Sequence, residues 1–276
     1  MNKLIFPSDY EKHRYGNIHL SFFLEYAKLA GLQIDYDVNQ RVFCYFEKTK
    51  LIFSCVINDQ QVIFDYGDHV KNYIDEFLNI PYFKFQVQND KTKAIPVGPL
   101  FVKNPYTDLT TDWFLDFREQ FQYKHSKKIL SKQIPHKDRR VFVQSLLEEN
   151  FPATRIDIKA HEKQAVFWKK HEVGAGAVCV PGSTNNMLAG GRYELRLLGD
   201  PTISPHIKTR LPWNLKLESG KHYLKCKDDF SDVIEKAKIL QNNPELCYEI
   251  SKNTRELFES YCCPEKYWQW ILKNTG

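Results

Sequence analysis

The chain has 276 residues, of which 42% are hydrophobic and 14% aromatic, and its formal charge is +5. That apolar content excludes a disordered chain, the length favours two domains of roughly 130 residues over a single core, and no run approaches the ~20 apolar residues of a membrane span. The modest positive charge suggests anionic partners without requiring nucleic acid, and is informative only where it clusters.

In chain order, "KLIFPS" reads as a short strand, with an apolar run too short for a signal-peptide core. "GNIHLSFFLEYAKLAG" carries Phe22, Tyr26, Leu29 and Ala30 on one helical face and ends on Gly31 as a C-cap. Three strand-like runs follow, "RVFCYFE", "LIFSCVI" and "QVIFDY", the last two flanking the turn signal Asn58-Asp59-Gln60. "GPLFVKNPYTDLTTDW" has no periodicity, so a boundary between halves is expected near residues 105–125, dividing the chain into 1–118 and 119–276. The second half alternates strands with helices: "KKILSKQIPHKDRRVFVQSLLEENF" reads as strand, loop and helix with Phe142/Leu146 and Val143/Leu147 at i, i+4, followed by strands ("AVCVPG", "PTIS", "KHYLKC"), "GRYELRLLG" closed by Gly199, "SDVIEKAKIL" with Ser231 as N-cap, and a segment with Asn243 capping and Pro244 in first position. Strands alternating with helices predict an α/β protein of two Rossmann-like, doubly wound, largely parallel domains facing a cleft. The seven Cys (Cys44, Cys55, Cys179, Cys226, Cys247, Cys262, Cys263) lack C-x-x-C spacing, the usage of a reducing compartment, and a soluble cytoplasmic protein is expected.

Ligands of open α/β sheets bind beyond the carboxyl ends of the strands. After "AVCV" come Pro181, Gly182, Ser183 and Thr184, then Gly190, Gly191, Arg192, Tyr193 and Glu194. Small residues let a ligand approach the backbone, and an arginine fork suits phosphate oxygens. Glu194 would repel a bare phosphate, which points to a ligand with hydroxyls beside its phosphates, such as a nucleoside diphosphate. The other reading is a loop of tight turns with surface charges. Between Lys124 and Arg140 there are seven Lys or Arg against one acid, Asp138, so Lys132, His136, Arg139 and Arg140 could share an anionic group or form a solvated basic face. Sparse aromatics there count against a single-strand nucleic-acid platform.

Carboxylates at strand ends are candidate bases: Asp65 and Asp68 in "QVIFDYGDHV", and Asp9 beside His13 in "PSDYEKHRY". Asp68 could instead cap a helix. "IDYDV" holds a D-x-D, Asp35 and Asp37, a pattern that binds a divalent ion in metal-dependent glycosyltransferases, but it falls before a nucleotide-binding half could have formed. No Walker A loop, H-E-x-x-H or G-x-S-x-G is present.

Residues 125–272, through "GRYELRLLGDPTIS", "HYL", "DDFSDVIEKAKIL" and "NPELCYEIS", resemble the nucleotide-sugar half of GT-B glycosyltransferases, in particular the exostosin and protein O-glucosyltransferase families. The resemblance implies transfer of a sugar from a nucleotide-diphosphate donor, expected to be UDP-linked, to a glycan hydroxyl, with no required metal or other cofactor. It places Arg192 on the diphosphate, Glu194 on ribose or sugar hydroxyls, and residues 181–183 and 191–193 around the donor. Asp68 is expected to act as base ahead of Asp65 and Asp9, with inversion at the sugar. A sugar-nucleotide or nucleic-acid binding module without catalysis is the alternative from another class, and the D-x-D enzyme is the alternative within the class.

Overall fold

The structure, a computed structural model, describes residues 2–12, 14–44, 51–67, 79–88, 92–98, 111–130, 138–151, 168–181, 188 and 193–276. The chain forms two compact units, the first made of Met1–Asp112, Thr209–Lys216 and Glu259–Gly276, the second of Trp113–Lys208 and Leu217–Phe258. This differs from the expected 1–118 and 119–276 mainly at the carboxyl terminus. The reason is the apolar face of the last helix, α7 (Pro264–Thr275), whose Tyr267, Trp268 and Ile271 are buried in the core of the first unit.

The first unit holds β1 (Lys3–Pro7), α1 (Arg14–Leu29), β2 (Gln33–Asp37), β3 (Val42–Cys44), β4 (Leu51–Ile57), β5 (Gln60–Asp65), β6 (Tyr82–Lys84) and β7 (Ile95–Pro96). The strands run in the order β2-β1-β4-β5-β6-β7, with β3 also beside β4. β1 and β2 are parallel, as are β5, β6 and β7, whereas β4 is antiparallel to β1, β3 and β5. The sheet is thus mixed, not largely parallel as expected, because β4 and β5 form a tight hairpin. Asn58 and Asp59, at φ 48° and 67°, make its two-residue turn, and Ile57 faces Gln60 across it. Positive φ at both central residues gives the twist that such hairpins need. α1 ends as the sequence predicts: at Gly31 (φ 76°) the N–H donates to the Lys28 carbonyl and that of Leu32 to Ala27, so two orphan carbonyls are satisfied. The core is strongly aromatic, with Phe23 packed on Phe6, Phe53, Phe64 and Trp268.

The second unit contains most of α2 (Thr111–Gln120), then β8 (Lys124–Leu130), α3 (Asp138–Asn150), β9 (Val173–Val178), α4 (Tyr193–Leu198), β10 (Thr202–Ser204), β11 (Leu224–Lys225), α5 (Val233–Asn242) and the greater part of α6 (Pro244–Cys262). Its sheet, β11-β10-β9-β8, is wholly parallel. Val143 and Leu147 of α3, Ala237 and Leu240 of α5 and Ile250 of α6 pack with Ile129, Ala175, Val178 and Ile203 of the strands. Asn243 caps α6 as expected, its Oδ1 accepting the Leu246 N–H at 3.0 Å with Pro244 in first position. The cap of α5 is Asp232, one residue after the expected Ser231, and its carboxylate accepts the Lys227 N–H instead of a helix N–H. The molecule is therefore an α/β protein with one mixed and one parallel sheet. Among the described residues no helix is long and apolar enough to cross a membrane.

Candidate functional site

In a parallel sheet every strand points its carboxyl end to the same edge, and the connections leaving that edge are where backbone groups converge on ligands. β9 ends at Val178 and α4 starts at Tyr193, so the sequence positions expected to hold a donor follow the carboxyl end of β9. Gly182, Ser183, Gly191 and Arg192 themselves lie outside the described residues, as do Lys132, His136 and Asp68. Tyr193 and Glu194 open α4 through their backbone. Gly199 closes that helix at φ 85°, with the Arg255 stem so near that a Cβ there would fall 2.6 Å from its Cγ.

Of the expected basic cluster, Arg139 is exposed and Arg140 half-buried, both in the first turn of α3, and Arg140 Nε has no hydrogen-bond partner among the described residues. Lys124, Lys127 and Lys128 are exposed on β8, an edge strand of the sheet, where lysines discourage pairing with another chain. That accounts for part of the charge density without a ligand.

The acids are engaged. Asp65, at the carboxyl end of β5, is fully buried; Oδ2 accepts from Lys84 Nζ at 2.8 Å and from the Tyr82 hydroxyl, and Oδ1 accepts the Gly67 N–H. A buried carboxylate held by a cation and two further donors is an anchor between β5 and β6, and it is poorly placed to take a proton from a substrate. Asp9 is half-buried, and its Oδ1 accepts the Val42 N–H at 3.2 Å, tying the first loop to β3. In the D-x-D, Asp35 pairs with Lys3 at 2.8 Å and Asp37 accepts the Asn39 N–H. Lys3 holds the Asp35 carboxyl below its usual range, by hydrogen bond and charge. Among the described residues no group of three His, Cys, Asp or Glu is arranged to hold a metal.

Three features lay outside the sequence reading. The guanidinium of Arg196 on α4 is fully buried; its Nε donates to Thr202 Oγ1 at 3.0 Å, while among the described residues Nη1 and Nη2 have no hydrogen-bond partner. The signal was present as an arginine inside the otherwise apolar run Leu195, Leu197, Leu198. By contrast Arg118 and Arg255 spend their guanidinium groups on carbonyls: Arg118 on those of Leu197 and Arg255, Arg255 on those of Phe121, Leu198 and Arg118. They neutralise the carbonyl ends of α2 and α4. His171, just before β9, lies 2.7 Å from Asp200, just before β10. Near Arg196, Tyr223 is buried and its hydroxyl accepts the Ile207 N–H at 3.1 Å. Burial raises the Tyr223 pKa, and the Ile207 hydrogen bond and the Arg196 charge offset this in part.

No protein-family model matches the chain, and no curated protein matches it.

Proposed function

We propose that the chain is a glycosyltransferase of the GT-B kind, moving a sugar from a UDP-linked donor to a glycan hydroxyl in the cytoplasm, with inversion and without a metal. The observation that carries this reading is the wholly parallel sheet of the second unit, in which the segment "PGSTNNMLAGGRYE" follows the carboxyl end of β9 and leads into α4. That is the edge at which open α/β sheets take nucleotides. In this reading the second unit binds the donor and the first the acceptor.

The chemistry asks for two things. Negative charge grows on the diphosphate as the glycosidic bond breaks, and Arg192, with Lys132, His136, Arg139 and Arg140, would meet it as preorganised donors. The acceptor hydroxyl must lose a proton, and Asp68 is the base in this proposal, because Asp65 is committed to Lys84 and Asp9 to the start of β3. Glu194 would hold ribose or sugar hydroxyls.

The test is a thermal-shift panel of nucleotides and nucleotide sugars, followed by turnover of those that bind. UDP should stabilise the protein, Asp68→Asn should abolish transfer while leaving UDP binding intact, Arg192→Ala should weaken UDP by ~1.5–3 kcal/mol, and EDTA should have no effect. Loss of activity with EDTA and in Asp35→Ala would replace this reading with the D-x-D enzyme. No nucleotide effect, together with nucleic-acid binding that falls steeply with salt, would replace it with a binding module.

A further inference from the structure

An arginine can be fully buried at tolerable cost only if its donors are met, because an uncompensated charge in the interior costs several kcal/mol. Among the described residues no carboxylate meets Arg196. Asp200, four residues on, is bonded to His171. Among the described residues the two terminal nitrogens of Arg196 have no hydrogen-bond partner, although the side chain has no solvent exposure. Its orientation is nevertheless fixed, since Thr202 Oγ1 accepts from Nε and leaves the Nη1/Nη2 fork to face elsewhere. Alternation along β10 puts Ser204 on the same face as Thr202, opposite Ile203, and both are buried. Arg196 is thus a planar cation bonded to the Thr202 hydroxyl, close enough to the Tyr223 phenol for its charge to act there, and with no ion pair to an acid among the described residues.

We propose that the Arg196 fork binds a phosphoryl group, the diphosphate of the nucleotide donor, as a bidentate ligand. Planar recognition by two parallel N–H donors suits phosphate oxygens, and a dianion would satisfy both nitrogens at once. The identity of the anion rests on the glycosyl-transfer reading; the existence of the site does not.

The experiment compares the wild type with Arg196→Met, which keeps the length and removes the charge, and with Arg196→Lys, which keeps the charge and removes the fork. Melting temperature is measured without ligand and with inorganic pyrophosphate and UDP, and affinities by calorimetry. With an unpaired cation removed, ligand-free Arg196→Met melts above the wild type. Its pyrophosphate and UDP affinities fall at least about tenfold, and those of Arg196→Lys also fall, the loss expected for charged hydrogen bonds. A ligand-free Arg196→Met that melts below the wild type or fails to fold would mean that the protein itself satisfies the charge, and would overturn the site. Full pyrophosphate affinity in Arg196→Lys would overturn the bidentate fork. Pyrophosphate binding that depends on Arg196 with no UDP-sugar turnover by the wild type sinks the enzyme reading and leaves the site. Turnover and UDP affinity unchanged in Arg196→Met sink the site and leave the enzyme reading.

Discussion

Nδ1 of His171 sits 2.7 Å from Oδ2 of Asp200, and neither side chain reaches solvent. A histidine oriented by a carboxylate is a familiar catalytic pairing, but here its position argues otherwise. His171 enters β9 and Asp200 enters β10, so the pair joins the amino ends of neighbouring parallel strands, the edge opposite to the one that collects ligands. His171→Ala removes the imidazole that bonds the buried Asp200 carboxylate. It should cost about 3–5 kcal/mol in urea unfolding, with UDP affinity of the folded protein unchanged. A selective loss of nucleotide binding at intact stability would move the site to this edge.

The Asp65 and Lys84 pair is the counterpart in the first unit. Lys84→Met should lower stability by about 3–5 kcal/mol, because the carboxylate keeps only the Tyr82 hydroxyl and the Gly67 N–H among the bonds described above. Adding Asp65→Asn to Lys84→Met should recover part of that loss, since the burial of charge is then relieved. Urea denaturation of both variants measures the coupling; additive losses would show that the two side chains act independently.

Gly199 and Gly220 make a matched pair of substitutions. Their φ values are 85° and 83°, but a Cβ at Gly199 would meet Arg255, whereas among the described residues nothing lies within 4 Å of a Cβ at Gly220. Gly220→Ala should therefore cost only the left-handed backbone, about 1–2 kcal/mol. Gly199→Ala should cost clearly more, because the Arg255 stem is held by its bonds to three carbonyls and cannot swing aside cheaply. Equal losses in melting temperature would show that Arg255 yields.

His222 should make stability depend on pH in a defined direction. Burial, with the Lys221 charge, lowers its pKa below the usual histidine value. As the neutral ring, Nδ1 accepts the Glu218 N–H at 2.9 Å. The unfolded chain then binds more protons than the folded one once the pH drops below about 6.5. Stability should fall from there down through the lowered pKa, by no more than about 1.4 kcal/mol per pH unit from this residue. His222→Asn, which can still accept a hydrogen bond, should flatten that limb of the pH profile; a histidine-independent slope would assign it to other groups.

What the sequence made legible was local. The Asn58-Asp59 hairpin, the Gly31 stop of α1, the Asn243-Pro244 start of α6 and the Gly199 end of α4 all depend on residues within a few positions of one another. What it hid was non-local. β1 lies between β2 and β4, Asp65 finds Lys84 on the next strand over, and α7 belongs to a core begun by α1. The order of elements was legible too, in that the candidate donor segment falls between β9 and α4. The leucines around Arg196 signalled its burial, but nothing in the sequence told whether its fork meets an acid, a carbonyl or nothing.

The assignment of Glu259–Gly276 to the first unit bears on how the protein is made. Trp268 packs against Phe23 with ring centroids 4.9 Å apart, and Tyr267 bonds Tyr66 across the same interior. These aromatics follow the strands of the second unit in the chain, so a nascent first unit keeps that apolar side unsealed until residues 259–276 have emerged. Expression of residues 1–112 alone should accordingly yield an aggregating fragment, and supplying residues 259–276 as a separate peptide should improve its solubility.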